Sequence, residues 1–90
     1  MTETDREARL RALKALIIEA TGKDMDPGEI PDDAPLFGPE ATLELDSVDG
    51  LQISMALQRR YGVRIADSKA LRRVLTSVNH LADHLDQEGA

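Results

Sequence analysis

Residues 43 to 62 read LELDSVDGLQISMALQRRYG, and this stretch decides how the rest of the chain is interpreted. Asp46 is a residue type that favours the N-cap of a helix, and Asp49 follows at the third helical position, a weaker relative of the capping box. Gly62 stops the helix, because glycine is favoured just past a helix C-terminus. The stretch therefore predicts a helix from Asp46 to the residue before Gly62, with Ser47 at its beginning.

Two apolar stripes run along this predicted helix. They are Ile53, Leu57 and Tyr61 in one stripe, and Val48, Leu51 and Met55 in the other. A surface helix of a small bundle needs one apolar face, so the second stripe is surplus. At this stage the surplus stripe has two interpretations, a second contribution to the core or a surface for a partner.

Apolar residues at helical spacing predict three further helices, which gives four helices over about 4–20, 46–61, 67–75 and 77–87. Residues that favour helix N-termini precede the added segments: Thr4 with Glu7, Asp67 or Ser68, and Thr76 or Ser77. The expected fold is an all-α four-helix bundle, formed by one domain over residues 1–90.

The segment 22–46 is predicted to be a long loop between the first and second helices. It contains four prolines at a spacing that no long helix tolerates. Its apolar residues predict that the loop is packed against the bundle: Ile30, Leu36, Phe37, Leu43 and Leu45.

Composition narrows the function. The net charge of −6 and the −7 carried by residues 22–46 disfavour nucleic acid as a partner. There is no cysteine, so the chain supplies neither a disulfide nor a thiol nucleophile. The longest apolar run, Ala15 to Ile18, is too short to enter a membrane as a span, and the N-terminus lacks a signal-peptide core. We expect a cytoplasmic monomer that does not insert into membranes.

Ser47 has no sequence neighbour that would make it a nucleophile. A serine hydroxyl needs an adjacent base, and the G-x-S-x-G pattern is missing. Both histidines, His80 and His84, lie on the predicted last helix. On residue type alone, a serine at this position is a structural residue of the helix terminus.

Two weak metal patterns are set aside. Residues 24–28 resemble the start of a calcium loop, but the later loop positions carry the wrong residues. His80 and His84, one helical turn apart and near Asp83, lack further converging ligands. No metal site is predicted.

The stretch quoted above resembles the signature of acyl carrier proteins, in which Asp-Ser-Leu/Val-Asp opens the second helix and an aromatic-glycine pair closes it. The approach PLFG at residues 35–38 and the segment GVRIADSKALRRVLTSVNHLADHL at 62–85 also resemble that family. The similarity runs from Leu10 to Leu85 and places the long loop where the family has it.

This resemblance implies an acyl-carrier-type bundle with a short third helix and a non-catalytic role. Ser47 would receive 4′-phosphopantetheine from coenzyme A through a phosphopantetheinyl transferase. The arm would carry acyl groups as thioesters in fatty-acid, polyketide or related specialised lipid biosynthesis. The family positions that contact acyl-loading and acyl-processing enzymes such as ketosynthases correspond to Asp46, Val48, Asp49, Leu51 and Met55.

The chain departs from the family in three places. Acyl carriers usually have a strongly acidic second helix, whereas residues 47–61 carry +1 here. Glu44 stands where relatives often have glycine. Gly50 lies inside the helix, either to let the arm or a partner approach or through tolerated drift. Two alternatives stay open: a peptidyl or aminoacyl carrier, disfavoured because Leu45 and Asp46 replace a glycine-rich approach, and a helical adaptor without a prosthetic group.

Overall fold

The computed structural model describes residues 5–37, 43, 45–65 and 67–89 of the chain. These residues form four α-helices: α1 (Asp5–Thr21), α2 (Ser47–Tyr61), α3 (Ser68–Val74) and α4 (Val78–Gln87). A short 3-10 turn, Pro27–Glu29, lies in the long connection between α1 and α2. The one extended pairing in this part of the chain is a single bridge between Phe37 and Leu45. The predicted all-α class, with four helices, a long first loop and a short third helix, is confirmed.

Side-chain caps fix where the last two helices begin. The Asp67 carboxylate accepts a hydrogen bond of 2.7 Å from the Ala70 N–H at the start of α3. The Ser77 hydroxyl accepts one of 3.2 Å from the His80 N–H at the start of α4. Of the two candidates for each cap, the structure thus selects Asp67 and Ser77. Thr4, predicted to cap the first helix, lies outside the described residues.

Left-handed glycines follow the two long helices. Gly22 after α1 has φ 68° and Gly62 after α2 has φ 70°. Residues with a Cβ rarely adopt this left-handed backbone conformation. The Gly62 N–H donates to the Gln58 carbonyl at 3.0 Å and so satisfies one of the orphan carbonyls at the end of α2. The predicted stop at Gly62 is confirmed.

Aliphatic side chains from the helices form the core. Helix α1 packs against α2 and α4, and the short helix α3 packs against the same two helices. The side chains with almost no solvent exposure include Leu13 and Ile17 of α1, Ile53 and Leu57 of α2, and Leu81 and Leu85 of α4. Among the described helices, none is long and apolar enough to cross a membrane.

The loop before α2 is packed against the bundle. Ile30, Leu36, Leu43 and Leu45 are all buried, and Phe37 packs partly buried against the core. The Leu45 N–H donates to the Leu36 carbonyl at 3.1 Å. This hydrogen bond joins the backbone just before α2 to the earlier part of the loop. The prediction that the apolar residues of this loop are packed is confirmed.

Polar contacts anchor the same loop to two helices. The Lys14 ammonium on α1 forms an ion pair of 2.5 Å with the Asp32 carboxylate. The Asn79 N–H on α4 donates to the Asp32 carbonyl at 3.0 Å, and the Asn79 side chain also bonds Asp33. Because the loop is fixed at both its apolar and its polar residues, it delivers Asp46 to a defined place at the start of α2.

Candidate functional site

Ser47 is the first residue of α2, and its side chain is exposed to solvent. The N–H groups in the first turn of a helix have no partner one turn earlier, and the positive end of the helix dipole lies among them. A hydroxyl at this position is therefore accessible and lies at the positive end of the helix dipole. The site is an exposed helix terminus, so a group attached to Ser47 can extend into solvent.

A capping box holds the backbone around Ser47. The Asp46 carboxylate accepts a hydrogen bond of 3.0 Å from the Asp49 N–H, and the Asp46 N–H donates to the Asp49 carboxylate at 3.2 Å. The Asp46 carbonyl accepts from the Gly50 N–H at 3.0 Å and so closes the first helical turn. The sequence predicted the cap at Asp46 and a weaker form of the reciprocal bond, and the structure contains both bonds.

These bonds also set the charge of the cap. The Asp49 N–H and, to a smaller extent, the Val48 N–H lower the pKa of the Asp46 carboxyl below its ordinary value of 3.8. Hydrogen bonds donated to a carboxylate favour its ionised form. Asp46 therefore stays negative through the whole neutral range and keeps its capping bond.

Sequence reasoning missed one contact at this site, between Lys23 and Asp49. The Lys23 ammonium, in the loop after α1, lies 3.8 Å from the Asp49 carboxylate. Lys23 is the single base among residues 22–46, and that isolation was the signal that could have pointed to a specific acidic partner. The Asp49 side chain thus interacts with both the cap and the loop, while Asp46 is the more exposed carboxylate.

The two apolar stripes of α2 have opposite surroundings. Ile53 and Leu57 are 0% exposed, whereas Val48, Leu51 and Met55 are 62%, 59% and 52% exposed. The surplus stripe is thus on the surface, and its interpretation as core is wrong. We name Val48, Leu51 and Met55 the outer stripe. Apolar residues grouped on an exposed helix face are typical of interaction surfaces.

Gly50 is buried beneath two side chains of the protein itself. A Cβ at this position would lie 3.1 Å from Leu71 Cδ2 and 3.2 Å from Phe37 Cζ, closer than ordinary van der Waals contact. Neither explanation offered from the sequence matches this finding. The glycine lets the loop, through Phe37, and α3, through Leu71, pack directly on the backbone of α2 behind Ser47.

The histidines lie away from this site. Both are on α4, which packs against α1 and α3. His80 Nδ1 lies 2.9 Å from the Ser77 hydroxyl, and His84 Nε2 lies 3.8 Å from the Glu88 carboxylate. Within the described ranges, no group of three or more histidine or acidic side chains is positioned to hold a metal ion.

A comparison with protein families gives the decisive match. The model of the phosphopantetheine attachment site matches residues 11–85, most of the 90-residue chain. The chain belongs to this family. The resemblance to acyl carrier proteins is thereby confirmed at the level of a phosphopantetheine carrier domain, and the matched range includes all of α2 with Ser47. Among curated proteins, no sequence matches the chain.

Domains of this family are the site at which 4′-phosphopantetheine is attached, and the N-terminus of α2 fits such a group. The attachment is a phosphate ester, which requires an accessible hydroxyl and benefits from N–H donors and a positive dipole end. Ser47 offers the hydroxyl, and the N-terminus of α2 offers the positive end of the helix dipole. The neighbouring carboxylates of Asp46 and Asp49 are engaged in the capping box, and Asp49 is further balanced by Lys23.

Proposed function

We propose that Ser47 is the residue that carries 4′-phosphopantetheine, and that the chain is an acyl carrier protein. The observation that carries this proposal is an exposed serine at the first position of α2 in a chain that belongs to the phosphopantetheine attachment family. When attached, the arm supplies a thiol that holds acyl groups as thioesters for fatty-acid, polyketide or related lipid biosynthesis.

The division of labour follows from what surrounds Ser47. Both histidines lie on α4, so the described structure gives the Ser47 hydroxyl no neighbouring imidazole as base. In this proposal the transferase activates the hydroxyl, and the carrier contributes a presented, rigidly positioned helix terminus. The chain has no cysteine, so the reactive thiol comes from the arm alone. Chemistry on the cargo belongs to the partner enzymes.

The outer stripe and the capping acids would form the surface that these enzymes bind. Val48, Leu51 and Met55 present apolar contact area next to Ser47, and Asp46 and Asp49 flank it. Partners in this proposal are the phosphopantetheinyl transferase and acyl-loading and acyl-processing enzymes such as ketosynthases. Monomeric state and a cytoplasmic location remain predictions from the sequence.

The approach to Ser47 favours an acyl carrier over a peptidyl carrier. Leu45 is buried and its N–H donates to the Leu36 carbonyl, so a fixed apolar side chain lies directly before Asp46, where peptidyl carriers usually have glycine-rich residues. A helical adaptor without a prosthetic group is the remaining alternative, and attachment chemistry separates it from both carriers.

Intact-mass measurement tests the attachment residue. The protein is incubated with coenzyme A, magnesium and a promiscuous phosphopantetheinyl transferase. We expect the wild type to gain the mass of one arm and Ser47→Ala to gain none. Ser54→Ala, a matched change on the same helix at a half-buried serine, should gain one arm. A wild type that stays unmodified would support the adaptor, and a modified Ser47→Ala would place the arm elsewhere.

The weakly charged second helix leads to a narrower proposal about the pathway. Residues 47–61 carry +1, so enzymes that bind carriers through basic residues gain little electrostatic attraction from α2. We propose a specialised carrier that serves a particular synthase. Acylated protein should therefore be a poor substrate for housekeeping fatty-acid enzymes, and turnover equal to that of their own carrier would contradict this.

A further inference from the structure

A surplus of positive charge is concentrated in one part of this acidic chain. Residues 59–73 contain six bases and one acid, a net charge of +5 in a protein whose total is −6. We name the six side chains the basic surface: Arg59, Arg60, Arg64, Lys69, Arg72 and Arg73. All six are exposed, and none forms an ion pair with a described residue.

The basic surface lies on two helices that pack together. Arg59 and Arg60 are in the last turn of α2. Helix α3, which contacts α2, carries Lys69 and, three and four residues later, Arg72 and Arg73. The acids of the capping box are at the opposite end of α2. The helix is thus acidic beside Ser47 and basic at its far end.

Arg59 lies on the same face of α2 as the outer stripe. Val48, Leu51, Met55 and Arg59 follow one another at spacings of three, four and four residues, which places them in one row along a helix. Arg59 is twelve residues from Ser47, about 18 Å along the helix axis at 1.5 Å per residue. The exposed face therefore runs from the serine through apolar side chains to a cation.

A groove extends this row toward α1. It has a volume of about 520 Å³, and Met55, Ala56 and Arg59 of α2 line it together with Leu16 and Ala20 of α1. Its lining combines apolar side chains with the charged side chains of Arg59, Arg60 and Glu19. A partner that covers the outer stripe would thus meet Arg59 at its edge.

The helix dipole explains only part of this arrangement. Arg59 and Arg60 favourably complement the negative C-terminus of α2, as any base there does. The bases of α3 and Arg64 extend the positive charge well beyond that terminus. The chain has 17 acids, yet no described acid is paired with the basic surface. Unpaired exposed charges of one sign attract an oppositely charged surface and steer its approach.

We propose that the docking surface of this carrier has two parts, the outer stripe beside Ser47 and the basic side chain of Arg59, and that it fits a partner enzyme with an apolar region and an acidic region at the same separation. That partner has an apolar rim at the entrance for the arm and an acidic patch roughly 18 Å from it. The inference rests on the proposed function, because it takes Ser47 as the point placed over the entrance.

Binding to one enzyme with two surface charges tests the proposal. The probe is a ketosynthase of known structure with basic residues about 18 Å from its arm entrance, compared with a variant in which those residues are Glu. All carrier variants are made on Ser47→Ala, so binding is measured without the arm and separately from the mass test of attachment. The measured quantity is the dissociation constant at low and high salt.

We expect the carrier to bind the Glu variant of the ketosynthase more tightly than the basic original, with a preference that high salt removes. Arg59→Gln should weaken binding to the Glu variant about fivefold. Gln87→Glu, which changes the net charge equally at the exposed end of α4, is the matched control and should leave binding unchanged.

Three results would overturn the proposal. One is tighter binding to the basic original, and another is an equal effect of Arg59→Gln and Gln87→Glu. The third is binding to phosphatidylglycerol-containing vesicles that Arg59→Gln abolishes, because the basic surface would then serve a lipid surface. The Ser47 mass gain is independent of all three, so attachment and docking succeed or fail separately.

Discussion

The two faces of α2 are built from the same kinds of residue and have opposite fates. On the inner face Ile53 and Leu57 are sealed against the other helices, and on the outer face Leu51 and Met55 are more than half exposed. The difference shows that apolar content on a helix does not report burial. Sealing a leucine side chain stabilises a protein by about 1.5–3 kcal/mol, and the outer stripe forgoes that stabilisation.

Substitution of one leucine on each face should give the largest contrast. We expect Leu57→Ala to lower the free energy of unfolding by about 2–5 kcal/mol, because it leaves a cavity in the core. Leu51→Ala removes the same atoms from an exposed site and should change it by less than about 0.5 kcal/mol. Urea denaturation followed by circular dichroism measures both.

The matched pair also separates stability from binding. If the outer stripe binds partner enzymes, Leu51→Ala should slow acyl transfer to a cognate enzyme while its urea midpoint stays at the wild-type value. A large loss of stability in Leu51→Ala would mean that the outer stripe belongs to the core after all.

A somewhat smaller effect is expected from filling the inner face at Gly50. Gly50→Val should lower the free energy of unfolding by about 1–3 kcal/mol, because its side chain would meet Leu71 and Phe37 at contacts that are already tight. The same residue introduced on the exposed face, as Gln52→Val, should be nearly neutral. Equal stability of the two variants in urea would contradict this prediction, because it would show that the Phe37 and Leu71 side chains move aside at no cost in free energy.

The smallest expected effect concerns the N-cap that orients both faces. The pKa of Asp46 is lowered in the folded state from its ordinary value of 3.8. The ionised carboxylate therefore stabilises the folded protein fully above pH 3.8, and this stabilisation is lost as the pH falls through the lowered pKa. Asparagine also caps helices but stays neutral. The stability difference between wild type and Asp46→Asn should therefore be constant near neutral pH and shrink below about pH 4.

Urea midpoints measured from about pH 6 to about pH 2 test this pH dependence. Asp24→Asn, at an exposed acid in the loop after α1, controls for the change in net charge. A difference between wild type and Asp46→Asn that persists unchanged to the lowest pH would contradict a contribution from the ionised carboxylate.

Much of the fold could be predicted from local signals. Gly62 and the capping pair of Asp46 and Asp49 mark the ends of α2 because their backbone and side-chain preferences act over a few residues. The site followed from the same stretch, since a serine after the N-cap is placed at the helix terminus by the cap itself. Local chemistry of this kind is readable without a partner from elsewhere in the chain.

Other features of the site depended on distant contacts. The Lys23 to Asp49 ion pair and the packing of Phe37 and Leu71 on Gly50 join residues that the sequence keeps far apart. Spacing alone gave the outer stripe two interpretations, a contribution to the core or a surface for a partner. A helical wheel shows which residues share a face of the helix, but it does not show which face packs against another helix.

The sequence by itself determined that this chain forms four helices, that Ser47 stands at the tip of the second, and that the carrier signature surrounds it. Only the tertiary structure decided that Ile53 and Leu57 are sealed while Val48, Leu51 and Met55 are left in solvent. The physical reason is that helix limits arise from bonds within a few residues, whereas burial requires apolar surfaces from α1 and the other helices to meet one face of α2.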